Sequence, residues 1–200
     1  MGSDDLSDIF TRIRVVLMPP GFAPGGFDCG EEDLTGYLCD GNAAEDGSAC
    51  FSTTYLVMDG DALVGYFSVL ADSIRLQTKE RPEGVRYSTA PAIKLGRMGV
   101  DRRYRGRNVG TWILDYVVGL ARTMVREIGV RYVTLDALAK PSLVGWYRRY
   151  GFVENRGEKD RKEALKKFFR WPKRPSTETI SMRYDVLLSD EVHGGPPEKP

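Results

Sequence analysis

The sequence predicts an α/β fold, one mixed sheet flanked by helices, and three observations carry that prediction. Asp59-Gly60-Asp61 separates two runs rich in β-branched and aromatic residues, 51–58 and 62–71, which is a strong hairpin signal. The apolar run 93–100 feeds a polar turn, a long amphipathic helix and a further strand at 132–137. Such a unit closes with a parallel, right-handed crossover. Finally, Ile180, Met182, Tyr184, Val186 and Leu188 alternate along a last strand, 179–188.

Around this frame the elements follow in order. Residues 1–10 are read as a mobile N-terminus, 11–188 as one domain and 189–200, rich in Pro, Gly and Glu, as a disordered tail. Ile13 to Leu17 form a short strand, stopped by Pro19-Pro20-Gly21. Residues 31–39 suit a short helix with Leu34, Tyr37 and Leu38 on one side, and 41–48 read as a loop or a second short helix. The stretch 72–91 is a long polar excursion, of a length more often functional than inert. The long helix places Val109, Trp112, Ile113, Tyr116, Val117, Leu120, Met124 and Ile128 on its buried face, with Gly129 as its end. Ser142 is expected to cap a second helix that Gly151 ends.

Composition excludes several classes of function. Two hundred residues with 42% hydrophobic and 28% charged content suit an ordinary globular domain. The balance of 29 basic and 28 acidic residues gives a net +1, so bulk charge points to neither nucleic acid nor membrane. Cys29, Cys39 and Cys50 fit no zinc spacing and are odd in number, which favours reduced thiols and no metal. No run is apolar enough to span a bilayer, and the acidic start lacks signal-peptide character, so a cytoplasmic protein is expected. His193, the only histidine, falls in the tail and is no catalytic candidate.

The turn after residue 100 carries the first chemistry. Arg102, Arg103, Arg105, Gly106, Arg107, Asn108 and Gly110 crowd the start of the long helix. The first turn of a helix has unpaired N–H groups and partial positive charge, so this is a site for phosphate or pyrophosphate. Glycine permits close backbone approach, and asparagine tolerates positive φ. The competing reading is a plain helix cap.

Arg105-Gly106-Arg107-Asn108-Val109-Gly110 also resembles the coenzyme A pyrophosphate loop of GNAT-fold N-acetyltransferases, Arg/Gln-x-x-Gly-x-Gly/Ala. Asn108 stands where that pattern has its middle glycine. Trp146-Tyr147-Arg148-Arg149-Tyr150-Gly151-Phe152 resembles the family's Phe-Tyr-x-x-x-Gly-Phe segment, at the family's separation of one helix plus one strand. The resemblance spans roughly 27–188. It implies the GNAT fold, a mostly antiparallel central sheet with a splayed parallel pair, and acetyl-CoA lying in the cleft of that pair. The backbone of Met98, Gly99 and Val100 is implied to meet the pantetheine arm. N–H groups from Arg105 to Gly110, with Thr111 in the same helical turn, are implied to hold the pyrophosphate. Tyr147 falls on the tyrosine whose hydroxyl lies near the thioester sulfur. From spacing alone, however, Tyr147 reads as a core aromatic beside Leu143, Trp146 and Tyr150. Trp112 and Trp146 also read as core.

The implied chemistry needs these parts. A neutral amine attacks the thioester carbonyl, and a fixed N–H such as that of Val100 stabilises the oxyanion. The leaving thiolate takes a proton from the Tyr147 phenol acting as general acid. Asp136, Glu31 and Glu32 are candidate bases, with no choice among them.

The acceptor is left open between a small-molecule or protein amine and RNA. From Arg156 to Arg174 nine basic residues face three acidic ones, with Phe168, Phe169 and Trp171 interleaved. Such a stretch can bind RNA, or be an ordinary solvated segment. Phe27-Asp28-Cys29-Gly30, Tyr55-Leu56-Val57 and Val64-Gly65-Tyr66-Phe67-Ser68 resemble the N-terminal half of toxin-type GNAT proteins. Those acetylate aminoacyl-tRNA and are neutralised by an antitoxin, so a tRNA partner and an antitoxin partner are implied, with a homodimer as the alternative to the antitoxin. A third reading, a coenzyme A-binding protein without catalysis, rests on Asn108 alone.

Overall fold

The computed structural model describes residues 9–157 and 178–187. In chain order the elements are β1 (Ile13–Leu17), α1 (Glu32–Cys39), α2 (Asn42–Ser48), β2 (Thr53–Asp59), β3 (Ala62–Arg75), β4 (Thr89–Val100), α3 (Val109–Ile128), β5 (Tyr132–Leu138), α4 (Pro141–Tyr150), β6 (Val153–Glu154) and β7 (Thr179–Asp185). The strands are hydrogen-bonded in the order β1-β2-β3-β4-β5-β7-β6, a mixed sheet flanked by helices. The residues group into two compact units. One holds the chain up to Leu70 with Leu95–Tyr116; the other holds Ala71–Lys94 and the chain from Val117 on.

In the first unit β1, β2 and β3 form an antiparallel meander. Its register runs Ile13↔Asp59 to Leu17↔Tyr55, and then Thr53↔Val69 to Asp59↔Ala62 with a bulge between Val57 and Met58. Gly60, at φ 58°, makes the tight reversal that its hairpin signal predicts. Leu56, Val57, Val64, Tyr66 and Phe67 are essentially inaccessible. Burying each contributes roughly 1.5–3 kcal/mol. Phe27, Cys29, Tyr37, Leu38, Ala43 and Leu63 pack around Tyr66. Tyr66 donates its hydroxyl to the Leu34 carbonyl at 2.5 Å, which pins α1 to β3.

In the second unit the closing strand β7 lies between β5 and β6. It is antiparallel to β5 from Tyr132↔Asp185 to Leu138↔Thr179, and to β6 at Val153↔Arg183. The start of β4 runs alongside β5 in the same direction. The Arg131 N–H donates to the Pro91 carbonyl at 3.0 Å, and further along Lys94 pairs with Asp136 at 2.6 Å.

The structure sharpens one open reading, at residues 41–48, and departs from the expected elements in four other places. β3 continues to Arg75 and β4 already begins at Thr89, because Ile74, Leu76, Ala90 and Ala92 pack with Tyr132. The excursion is therefore 76–88, tightened by a 3-10 turn at Thr78–Glu80. Residues 41–48 resolve as helix α2. On α3 the buried stripe is Val109, Ile113, Leu114, Val117, Val118 and Ala121. Tyr116 is 38% exposed, Ile128 72% exposed, and Trp112 only half-buried. Trp112 stacks instead on Tyr116, which leans on Phe67. Helix α4 starts at Pro141 with Lys140 at its N-cap, one turn position ahead of the expected Ser142 cap. Proline's fixed φ suits the first helical position and makes a side-chain cap dispensable. The last strand ends at Asp185, where the Asp185 side chain accepts the Leu187 N–H.

Candidate active site

The site is built first on the end of β4. Gly99 cannot carry a side chain: a Cβ there would lie 2.9 Å from the Tyr66 ring and 3.3 Å from the Cys29 sulfur. Across the pair, a Cβ on Gly65 would meet the Gly99 carbonyl at 2.7 Å. Two facing glycines thus let β3 and β4 approach closely, and the Tyr66–Phe27–Tyr37 aromatic group backs Met98–Val100 from one side.

Beyond Val100 the chain turns on Asp101, a carboxylate only 2% exposed. Its N–H donates to the Val64 carbonyl at 2.9 Å, which anchors the turn to β3. Its side chain accepts the Arg103 N–H at 2.9 Å, the Arg103 guanidinium at 2.8 and 2.9 Å, and the Asp28 N–H at 3.5 Å. The Arg103 side chain, against the opposing pull of burial, holds the Asp101 carboxyl below the usual carboxylate range; the Arg103 and Asp28 N–H groups add to it.

The next arginines are also committed. Arg102 pairs with Asp28 at 3.3 Å, and the Arg105 guanidinium donates to the Cys29 carbonyl. Gly30, at φ 78°, lies directly beneath them. A Cβ on Gly30 would sit 2.5 Å from Arg105 and 2.7 Å from Arg102. The Arg105 N–H is taken by the Arg102 carbonyl at 3.3 Å, so Arg105 fixes the turn. Arg107 instead lies over the Tyr104 ring at 5.7 Å.

What the turn presents is backbone. Gly106 has φ 76° and Asn108 φ 57°, with residues of negative φ on either side. That alternation curls successive N–H groups into an anion-binding concavity. A Cβ on Gly106 would meet nothing within 4 Å, so this face is open. The first intrahelical bond of α3 is Trp112 N–H to the Asn108 carbonyl at 3.1 Å. The N–H groups of Val109, Gly110 and Thr111 precede it and have no intrahelical partner. Asn108 takes up the left-handed conformation that glycine holds in the family pattern. The single feature behind a non-catalytic reading therefore loses its force. A diphosphate fits this turn, since the open concavity, the free donors and the helix dipole all suit an anion.

Tyr147 lies in the second unit, on α4. It is 7% exposed, packed against Trp146 at 4.8 Å and Phe152 at 5.6 Å between ring centroids. Burial pushes its phenol up to about 12, so it is a protonated donor across the physiological range. The left-handed Gly151 ends α4 and returns Phe152 onto Tyr147, the Phe152 N–H donating to the Tyr147 carbonyl at 3.0 Å. The candidate bases fall in different units. Glu31 precedes α1 and Glu32 opens it, exposed, in the first unit. Asp136, in the second, is engaged by Lys94.

Sequence reasoning gave Asp101 no role and singled out Asp28 and Gly30 only for a family resemblance, not for their part in this turn. Asp101 had one local signal, since an Asp two residues before the N–H it accepts is a common turn-former. Its long-range partners had none. Of the basic stretch, Arg156 and Gly157 are described, and Lys159 to Arg174 lie outside the described residues, as do the proposed N-terminal and C-terminal tails apart from Ile9 and Phe10. Among the described residues no helix is long and apolar enough to cross a membrane.

Known proteins share the family and the fold. A family model described as an acetyltransferase (GNAT) domain matches residues 51–154, which include the β4–α3 turn and Tyr147. The tRNA-acetylating toxin of Mycobacterium tuberculosis (strain ATCC 25618 / H37Rv) is 31% identical over 118 residues, covering 56% of this chain and 68% of the toxin. The structure of AtaT complexed with acetyl-methionyl-tRNAfMet is similar with a TM-score of 0.72 at 15% identity, over 90% of this chain and 98% of AtaT. A Tyr-to-Phe mutant of AtaT, bound to the C-terminus of the antitoxin AtaR and acetyl-CoA, gives a TM-score of 0.65 at 14% identity, over 90% and 98%. The family model's span and the toxin's identity agree with the turn and with the tyrosine after β5: the chain belongs to the GNAT family of acetyltransferases.

Proposed function

We propose that this acetyltransferase moves the acetyl group of acetyl-CoA to the α-amine of an aminoacyl-tRNA. The single observation that carries the acyl-CoA half is the turn from Asp101 to Thr111, with its two left-handed residues and free first-turn donors. The acceptor half is supported by the 31% identity to a tRNA-acetylating toxin. The basic, aromatic-interleaved stretch after Arg156 supports it from the sequence.

In this reading the N–H groups of Gly106 to Thr111 grip the diphosphate, and Met98–Val100 line the pantetheine arm. The neutral amine attacks the thioester carbonyl, forming a C–N bond and an oxyanion that the Val100 N–H stabilises. Collapse breaks the C–S bond, and Tyr147 gives its phenolic proton to the departing sulfur. A phenol held near 12 stays protonated for this step at neutral pH. The amine's proton leaves to solvent or to one of Glu31, Glu32 and Asp136. The enzyme works in the cytoplasm, where charged tRNA is found, and is restrained by a protein antitoxin, as AtaT is bound by AtaR.

Incubation with labelled acetyl-CoA and a cell extract tests the acceptor. Label is expected in the aminoacyl-tRNA fraction, and expression is expected to arrest growth. Label confined to proteins or metabolites would overturn the acceptor and leave the acetyltransferase intact.

A further inference from the structure

The excursion between β3 and β4 is not used by the chemistry above, yet it is built with care. The Leu76 N–H donates to the Ser88 carbonyl at 2.7 Å and closes its base. Within it the Val85 N–H reaches the Pro82 carbonyl at 3.1 Å, and the Arg81 guanidinium reaches the Arg86 carbonyl at 3.3 Å. Its one buried carboxylate, Glu80, accepts the Gln77 N–H at 2.8 Å and the Arg183 guanidinium at 2.9 Å. The same carboxylate accepts the Arg156 and Gly157 N–H groups at 3.1 Å each. Gly157 must be glycine, because a Cβ there would overlap the Arg75 carbonyl. Glu80 therefore ties the excursion to the residues that begin the basic stretch.

With Glu80 neutralised by Arg183, the outward face is cationic. Arg75, Lys79, Arg86 and Arg156 are exposed, and Glu83 is the one exposed acid of the excursion. Tyr87, next to Arg86 in the chain, is 79% exposed on this internally bonded loop. An exposed ring on a loop that also carries exposed cations suits stacking on a nucleobase with phosphates nearby.

We infer that the 76–88 excursion is an RNA-contact surface on which Tyr87 stacks a base while Lys79 and Arg86 neutralise neighbouring phosphates. The inference rests on the aminoacyl-tRNA reading, whose reactive amine hangs from a single-stranded 3′ end. Single strands are bound through aromatic platforms in cationic grooves.

Tyr87→Ala, Tyr87→Phe and Arg86→Ala, made in the full chain, test it with total aminoacylated tRNA and acetyl-CoA as separate probes. Tyr87→Ala is expected to weaken tRNA binding about tenfold, and Tyr87→Phe to restore it, since the ring does the stacking. Arg86→Ala is expected to lower the slope of log affinity against log salt by about 1. Acetyl-CoA binding by all three is expected to match the parent. Unchanged tRNA binding by Tyr87→Ala and Arg86→Ala, with tRNA still acetylated, overturns the surface and leaves the acceptor standing. Loss of binding to an antitoxin peptide without loss of tRNA also overturns it and makes the face a protein-docking site. A parent that neither binds nor acetylates tRNA overturns the acceptor reading, and the surface with it.

Discussion

Two strand-to-helix turns follow the parallel strands β4 and β5, and they are built in opposite ways. The first runs through Asp101–Asn108 and places two left-handed residues ahead of α3. The second is only Ala139-Lys140, and α4 opens on Pro141, which has no N–H to give. Lys140 has no side-chain cap, and its carbonyl takes the Leu143 and Val144 N–H groups at 3.0 Å. One topology thus yields a turn rich in unpaired backbone donors in the first unit and, in the second, a plain helix start whose helix carries Tyr147. A helix N-terminus is a general opportunity, and the chain before it decides whether a ligand can use it.

That contrast can be broken most severely at Tyr147. Tyr147→Phe removes one oxygen and keeps the ring contacts to Trp146 and Phe152, so kcat is expected to fall on the order of 10²-fold, with acetyl-CoA affinity retained. Steady-state kinetics beside isothermal titration checks both, and unchanged turnover would return Tyr147 to packing alone. Next in size, Asn108→Val forces a β-branched residue to φ 57°. Left-handed backbone costs about 1–2 kcal/mol for such residues, so the KM for acetyl-CoA is expected to rise about tenfold. Asn108→Gly is expected to keep it, and equal KM values for both variants would remove the conformational argument. Asp101→Asn, which exchanges a carboxylate for an amide among its donors, is expected to raise that KM severalfold at constant kcat and to lower Tm.

A pH titration sharpens the same point. Asp101 titrates below its ordinary range when folded, so its contribution is complete above its unfolded value of about 4 and is lost as pH falls through the lower folded value. Tm is therefore expected to keep the full Asp101 contribution from neutrality to about pH 5, with that contribution fading only below about pH 4. The smallest effect is expected from Pro141→Ala, which should leave the KM for acetyl-CoA within about twofold because α4 offers no donors to the diphosphate. A large rise there would mean that both turns serve the ligand.

Much of this was legible in the residues, for reasons that can be named. Asp59-Gly60-Asp61, the stripe on α3 and the glycines that follow α3 and α4 are local signals, and local signals survive in a linear string. The turn's residues were legible too, including Asn108, which takes up the positive φ that its tolerance allows. The apparatus beneath the turn was not. Asp28 reaches Asp101 across 73 positions, and Cys29 reaches Arg105 across 76. Nothing in either neighbourhood announces the other. Tyr116 and Ile128 fit a helical period yet face solvent, because a period finds a stripe without saying where its edges fall. Ser142 lost the capping role to the proline before it.

One feature of the second unit bears on how the protein is made. Strand β7, at the end of the described chain, is sandwiched between β5 and β6, which are synthesised well before it. Arg183 on that strand also supplies the charge that Glu80 awaits. A chain still emerging from the ribosome carries both neighbours of an unfilled slot, so maturation must wait for the last segment to clear the exit.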